Sequence, residues 1–111
     1  FLIHPGQRVM VPTGLIFDIP EDYVMKMYIR SSIAAKKGLA LSNGVGIIDS
    51  DYVDETHILV HNISDSLTRV IHGERLAQCM VEKMDQTQLI MINERPKQKT
   101  DRDGGIGSTG S

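Results

Sequence analysis

An all-β sandwich or barrel is the fold predicted by this 111-residue sequence, and three observations predict it. Apolar residues alternate with polar ones at a period of two over several short runs. Turn residues interrupt the chain at short, regular intervals. Only one stretch, Ser31–Lys37, reads as a helical turn.

Each element follows from its residues. Pro5-Gly6 and Pro12-Thr13-Gly14 punctuate the first part of the chain. After Pro20-Glu21-Asp22, the set Tyr23, Met25, Met27 and Ile29 alternates with Val24, Lys26, Tyr28 and Arg30, one set facing a core and the other turned away. Ser31 is expected to cap the helical turn through Ile33-Ala34-Ala35-Lys36. Ser42-Asn43-Gly44 turns the chain into the apolar run Val45-Gly46-Ile47-Ile48. Thr56, Ile58, Val60 and Asn62 alternate with His57, Leu59, His61 and Ile63, and after Ser64-Asp65-Ser66 the pattern returns with Thr68, Val70 and His72 against Leu67, Arg69 and Ile71. His72-Gly73-Glu74 turns into a last apolar run, Leu76-Ala77-Gln78-Cys79-Met80-Val81. From Glu94 the composition becomes polar and then glycine-rich, so residues 94–111 read as a flexible tail.

The bulk properties narrow the function. One core is all that 111 residues support, and a net charge of −2 argues against a protein that tracks a nucleic-acid backbone. A polyanionic ligand would have to be held by a few placed donors. The single cysteine, Cys79, is expected as a buried structural thiol, and with no disulfide possible within the chain a reducing compartment, the cytoplasm, is expected. No apolar run is long enough to span a bilayer, so no membrane partner is expected. Phe1 is not an initiator methionine, so residues are expected ahead of it. The match of Asn62-Ile63-Ser64 to a glycosylation sequon is expected to be chance.

Four segments have the makings of chemistry. Arg30-Ser31-Ser32 offers a guanidinium, two hydroxyls and backbone N–H groups to an anion, although on these residues alone a helix cap beside a surface arginine is the better reading. In Gly44-Val45-Gly46-Ile47-Ile48-Asp49-Ser50-Asp51-Tyr52 an apolar strand ends in carboxylates beside a tyrosine, a place for a general base and for a ring to stack on a sugar or base; the plain alternative is a strand entering an acidic turn. Gly73-Glu74-Arg75-Leu76-Ala77-Gln78 has Arg75 and Gln78 as polar exceptions, which in the plain reading make an ion pair and a loop contact. Gly105, Gly107 and Gly110 match a dinucleotide fingerprint only literally, since no helix can follow them.

In this order and spacing, the four segments resemble the second to fifth motifs of the trimeric deoxyuridine triphosphatases. Arg30-Ser31-Ser32-Ile33-Ala34 resembles the family's Arg-Ser-Gly/Ser-Leu-Ala, Asn43 through Tyr52 its uracil and sugar motif, Gly73-Glu74-Arg75-Leu76-Ala77-Gln78 its fourth motif, and Gly104-Gly105-Ile106-Gly107-Ser108-Thr109-Gly110 its terminal Gly-Gly-Phe-Gly-Ser-Thr-Gly. The resemblance implies a jelly-roll-like β-clip or distorted barrel and a homotrimer with shared active sites. It also implies Mg²⁺ on the triphosphate, reached through water by Gln78, and hydrolysis of dUTP to dUMP and pyrophosphate, which keeps uracil out of DNA and supplies dUMP for dTMP synthesis.

It further implies roles for particular residues. Asp49 would hold the sugar 3′-hydroxyl and act as general base on the water. Tyr52 would pack under the deoxyribose, and Asn43, Gly46, Ile47, Ile48 and His57 would read the uracil edge through the backbone. Arg30, Ser31, Ser32 and Gln78 would hold phosphates, Arg102 would clamp the γ-phosphate, and Ile106 and Gly107 would cover the ligand.

The sequence departs from the family pattern in four places. The first motif, Ala-Gly-x-Asp-Leu, which supplies an aspartate near the metal, is not among these residues, and its loss can inactivate the stretch on its own. Ile106 stands where the family has phenylalanine, giving apolar cover without ring stacking. Arg102 sits one residue closer to the double glycine, and Asp54 stands where glycine is common. The expected organisation is a β domain over residues 1–93, short of the family's front end, and a mobile tail over residues 94–111 that closes over the site. Two alternatives stand beside this reading: a dCTP deaminase-like enzyme, which would want an acid in the strand Ile58-Leu59-Val60-His61, and a non-catalytic nucleotide-binding module on the same fold.

Overall fold

A computed structural model describes residues 1–105 of the chain. Eight strands and one helix follow in order: β1 (Leu2–Ile3), β2 (Arg8–Pro12), β3 (Tyr23–Ile29), α1 (Ser31–Lys37), β4 (Leu39–Leu41), β5 (Gly46–Asp49), β6 (His57–Asn62), β7 (Thr68–Arg69) and β8 (Ala77–Lys83). They form three antiparallel sheets, β1–β7, β2–β6–β4 and β5–β3–β8, so the expected all-β class with one short helix is what the chain adopts.

The alternation read from the sequence sets the core. Met25 and Met27 on β3 are buried, as are Val60 and Asn62 on β6, and Thr68 and Val70 point inward while Arg69 and Ile71 point out. One core cluster gathers Ile3, Val11, Ile33, Leu39, Val60, Val70 and Leu76 around the β2–β6–β4 sheet and α1. A second joins Ile19, Met25, Met27, Leu41 and Ile48 beneath the β5–β3–β8 sheet. Asn62 is fully buried at their margin and has every polar atom used. Its Nδ2 donates to the carbonyls of Ile3 (2.9 Å) and Ser66 (2.8 Å), and its Oδ1 accepts from the backbone N–H (3.0 Å) and hydroxyl (2.7 Å) of Ser64. The sequon is therefore a turn-forming core asparagine, closed to glycosylation in the folded chain.

The helix start differs from expectation. Arg30, in extended conformation, occupies the N-cap position, Ser31 is already the first helical residue, and no side chain caps the helix. The chain enters α1 straight from β3, and the backbone of Arg30 is held by the Leu76 carbonyl at 3.0 Å, so the strand pairing decides where the helix begins. Gly38 ends the helix at φ 63°, its N–H bonded to the Ala34 carbonyl at 3.2 Å.

Cys79 also departs from expectation. It is exposed, because β8 is the edge strand of its sheet and turns one face away from the body, although local burial still raises the thiol pKa. Beyond β8 the chain leaves the body early: the last hydrogen bond from this region to the body, among the described residues, joins Gln86 Nε2 to Asp22 Oδ1 at 3.4 Å. Leu89, Ile90 and Met91 are then 93%, 77% and 94% exposed. Residues 94–105 are exposed and carry no strand or helix.

Candidate active site

A concave, mostly apolar site with convergent polar groups lies on the β5 side of the molecule. A cavity of about 210 Å³ is lined by Asn43, Gly46, Ile47, Ile48, Tyr52 and His57, with Met10, Met27, Thr56 and Leu59 completing its walls. That volume suits one small planar ring and falls short of the roughly 300–1,000 Å³ typical of a pocket for a whole ligand of drug size. Of the seven residues expected at the base edge or sugar, six meet here, and Asp49 is the exception. The wall residues Met10, Met27, Thr56 and Leu59 were not singled out from the sequence. Met27 and Thr56 lie on the inward faces of the alternating runs, and that alternation was the available signal.

Local backbone explains the convergence. The turn after β4 is tied by Gly44 N–H to the Leu41 carbonyl (3.0 Å), and Ser42 N–H reaches the Leu59 carbonyl (2.8 Å), which brings Asn43 to the side of β6. β5 then runs antiparallel to β3, with Gly46 against Met27 and Asp49 against Val24. A Cβ on Gly46 would stand 3.0 Å from Met27 Cβ, so a side chain there would require Met27 to give way by a few tenths of an ångström. After β5 the Tyr52 N–H donates to the Asp49 carbonyl at 3.1 Å, and this turn folds the tyrosine back towards the strand. The Tyr52 hydroxyl donates to the Glu55 carbonyl at 2.7 Å, fixing the ring while leaving it 41% exposed. Asp49 is exposed at the end of β5 and is not among the lining residues of the cavity. The apolar walls expected around it are not formed by the described residues.

The phosphate candidates lie elsewhere. Arg30 and Gln78 line a second cavity of about 410 Å³ with Leu15, Phe17, Leu76 and Cys79. The pairing of β3 with β8 puts Ile29 opposite Ala77 and Tyr28 opposite Gln78, so the residue following β3 is brought beside the start of β8. Arg30 Nη1 donates to the Arg75 carbonyl at 3.1 Å. Ser31 is exposed and Ser32 half-buried in the first helical turn, where backbone N–H groups have no partner within the helix. The ion pair expected at Arg75 is made instead by its neighbour: Glu74 joins Lys37, and the Lys37 ammonium holds the Glu74 carboxyl below its usual range. Met27 and Thr56 line both cavities and form the partition between them.

Three further points complete the site. Thr56 is 3% exposed and its hydroxyl is buried without a hydrogen-bond partner among the described residues, while its carbonyl takes bonds from the Thr13 hydroxyl (2.6 Å) and N–H (3.2 Å). Among the described residues no group of three or more His, Cys, Asp or Glu side chains is placed to hold a metal ion. Arg102 is exposed on the arm, its Nε donating to the Gly104 carbonyl at 3.2 Å, and Ile106 and Gly107 lie outside the described residues. No helix is long and apolar enough to cross a membrane, among the described residues.

Comparison with known proteins points one way. The family model described as dUTPase matches residues 1–110. A deoxyuridine 5′-triphosphate nucleotidohydrolase of Bdellovibrio bacteriovorus is 41% identical over 98% of this chain and 72% of its own length. The enzyme of the same name from Brucella melitensis is 42% identical over 96% of this chain and 68% of its own. Among solved structures, the dUTPase of Streptococcus mutans superposes with a TM-score of 0.74 at 31% identity, covering 79% of this chain and 73% of the other.

Proposed function

This chain belongs to the dUTPase family, and from that premise we propose that it hydrolyses dUTP to dUMP and pyrophosphate with the uracil in the β5 cavity. The observation that carries the reading is the meeting of Asn43, Gly46, Ile47, Ile48, Tyr52 and His57 around a space for one ring. Backbone groups of β5 and of the start of β6 read the base edge. The fixed ring of Tyr52 lies under the sugar and leaves no room for a 2′-hydroxyl. Asp49, exposed two residues beyond Ile47 on the same strand face, holds the 3′-hydroxyl and takes the proton from the attacking water. The water oxygen bonds the α-phosphorus as the bond to the bridging oxygen breaks, and pyrophosphate leaves with charge that Arg30, Ser31, Ser32 and Gln78 stabilise. Arg102, Ile106 and Gly107 close over the ligand.

Mg²⁺ fits this site as a passenger of the triphosphate. Gln78, which lines the cavity with Arg30, would hold the triphosphate-bound ion through water. When bound, the ion offsets charge on the phosphate oxygens.

The two cavities support a shared-site homotrimer. Base and phosphate candidates line two separate cavities with only Met27 and Thr56 in common, and in a shared-site trimer the base cavity of one subunit works with the phosphate cavity of a neighbour. The arm carrying Leu89, Ile90 and Met91 and the half-exposed Met80 and Val81 of β8 supply apolar surface for that contact. The cytoplasm suits the free thiol of Cys79. Pyrophosphate release from dUTP by the chain with its first motif included, set beside UTP, dTTP and dCTP, tests the function: the reading requires turnover of dUTP alone at a substantial rate, and equal turnover of dCTP or none of dUTP refutes it.

A further inference from the structure

Helix α1 is pinned at both ends to one short stretch of chain, residues 69–76. At its start, the Arg30 N–H donates to the Leu76 carbonyl (3.0 Å) and the Arg30 guanidinium to the Arg75 carbonyl (3.1 Å). At its end, Lys37 Nζ donates to the Arg69 carbonyl (2.7 Å) and pairs with the Glu74 carboxylate. The other Glu74 oxygen accepts the Ile71 N–H at 3.2 Å, and the Glu74 N–H donates to the Ile71 carbonyl at 3.1 Å, so the turn is closed from both sides. Beneath it Ile33, Val70 and Leu76 share one core cluster. The pair is partly shielded, with side-chain exposures of 29% for Lys37 and 18% for Glu74.

Glu74 also lines the cavity that holds Arg30 and Gln78. A bare carboxylate there would repel an entering anion, and Lys37 is the cation that offsets it. The same ion pair fixes the turn carrying the Arg75 carbonyl. A guanidinium with no such anchor spreads over many rotamers, most of which miss a ligand.

We propose that Lys37 and Glu74 are positioning residues for the triphosphate: their ion pair neutralises Glu74 at the edge of the Arg30 cavity and locks the turn whose Arg75 carbonyl aims the Arg30 guanidinium. The inference rests on reading Arg30 as a phosphate-holding group. Neither side chain touches the substrate, so both act through Arg30 and through the local field.

The test is binding of two ligands to the full protein and its variants: a non-hydrolysable imido analogue of dUTP, and deoxyuridine, which has no phosphate. Lys37→Met leaves Glu74 unpaired and is expected to weaken the analogue roughly 10-fold, the scale of a lost charge-assisted contact. Adding Glu74→Gln to that variant removes the stranded charge and should recover binding to within about 3-fold of the parent. Lys37→Arg keeps a cation and its donors and should stay near the parent, and deoxyuridine affinity should hold within about 2-fold throughout. Unchanged analogue binding in Lys37→Met overturns the proposal, as does an equal loss for deoxyuridine or a double variant no better than Lys37→Met. A parent that binds deoxyuridine but not the analogue overturns the phosphate reading itself.

Discussion

Asp49 stands alone among the acidic residues near the cavity in being both on a strand and free of a recorded partner among the described residues. Asp51 and Asp54 belong to the following loop, and Glu55 accepts the Gly14 N–H at 2.9 Å. Asp49→Asn keeps the size and hydrogen-bonding capacity of the group and removes the proton acceptor. Turnover should fall by roughly 10²–10⁴-fold while binding of the imido analogue changes little, as steady-state rates and titration calorimetry on the same samples would show. Thr56 invites a prediction of the opposite sign. Its buried hydroxyl has no partner among the described residues, so Thr56→Val, which keeps the shape and removes the hydroxyl, should raise stability by about 1 kcal/mol in a denaturant titration. At this scale the order of residue types in the motif made legible that Asn43 and Tyr52 meet at one cavity, and did not foretell that Asp49 lies outside its lining. The exposure of Cys79 was not legible, since an alternating pattern does not say which strand lies at a sheet edge.

Among the elements, α1 shows how strand pairing overrides local signals. Ser31 has the chemistry of a cap, yet β3 runs on to Ile29 against β8 and leaves Arg30 in the cap position. The end of the helix obeys its local signal, because Gly38 takes φ 63° and a Cβ there would lie 2.6 Å from Ser64 Cβ. Gly38→Ala should therefore cost at least about 1–2 kcal/mol, read as a drop in denaturant midpoint. The contact of α1 with the turn at Glu74 has its own pH signature. Lys37 depresses the Glu74 carboxyl below its ordinary 4.5, so the ion pair contributes stability that is complete above that value and is lost as pH falls through the lower folded-state pKa. Melting temperatures followed from pH 7 down to pH 3 should fall less in Glu74→Gln than in the parent, and parallel curves would remove this role. None of this contact was visible in the sequence. Lys37 and Glu74 are far apart in the chain and meet only because β7 and the turn after it pack beside the helix.

For the molecule as a whole, shape is the informative quantity. A Cα radius of gyration of 19.2 Å and extents of 53 × 42 × 22 Å describe a chain far more open than the roughly 13 Å expected of a compact domain of this size. The excess comes with an arm whose apolar residues no part of the same subunit covers. The sequence set the start of the tail at Glu94; among the described residues hydrogen bonding to the body ends at Gln86, and Leu89, Ile90 and Met91 beyond it are exposed. Light scattering at micromolar concentration should give three times the subunit mass. The account stands or falls on where hydrolysis occurs: the base cavity of one subunit against the phosphate cavity of another. Asp49→Asn and Arg30→Ala each disable one half, and mixed assemblies made by co-expressing the two separate the possibilities. If the halves come from different subunits, each variant alone should be nearly inactive on dUTP, and the mixture should recover roughly one quarter of the parent's pyrophosphate release, the chance that both halves of a site are intact. A mixture as inactive as its two components, beside an active parent, would contradict the shared site.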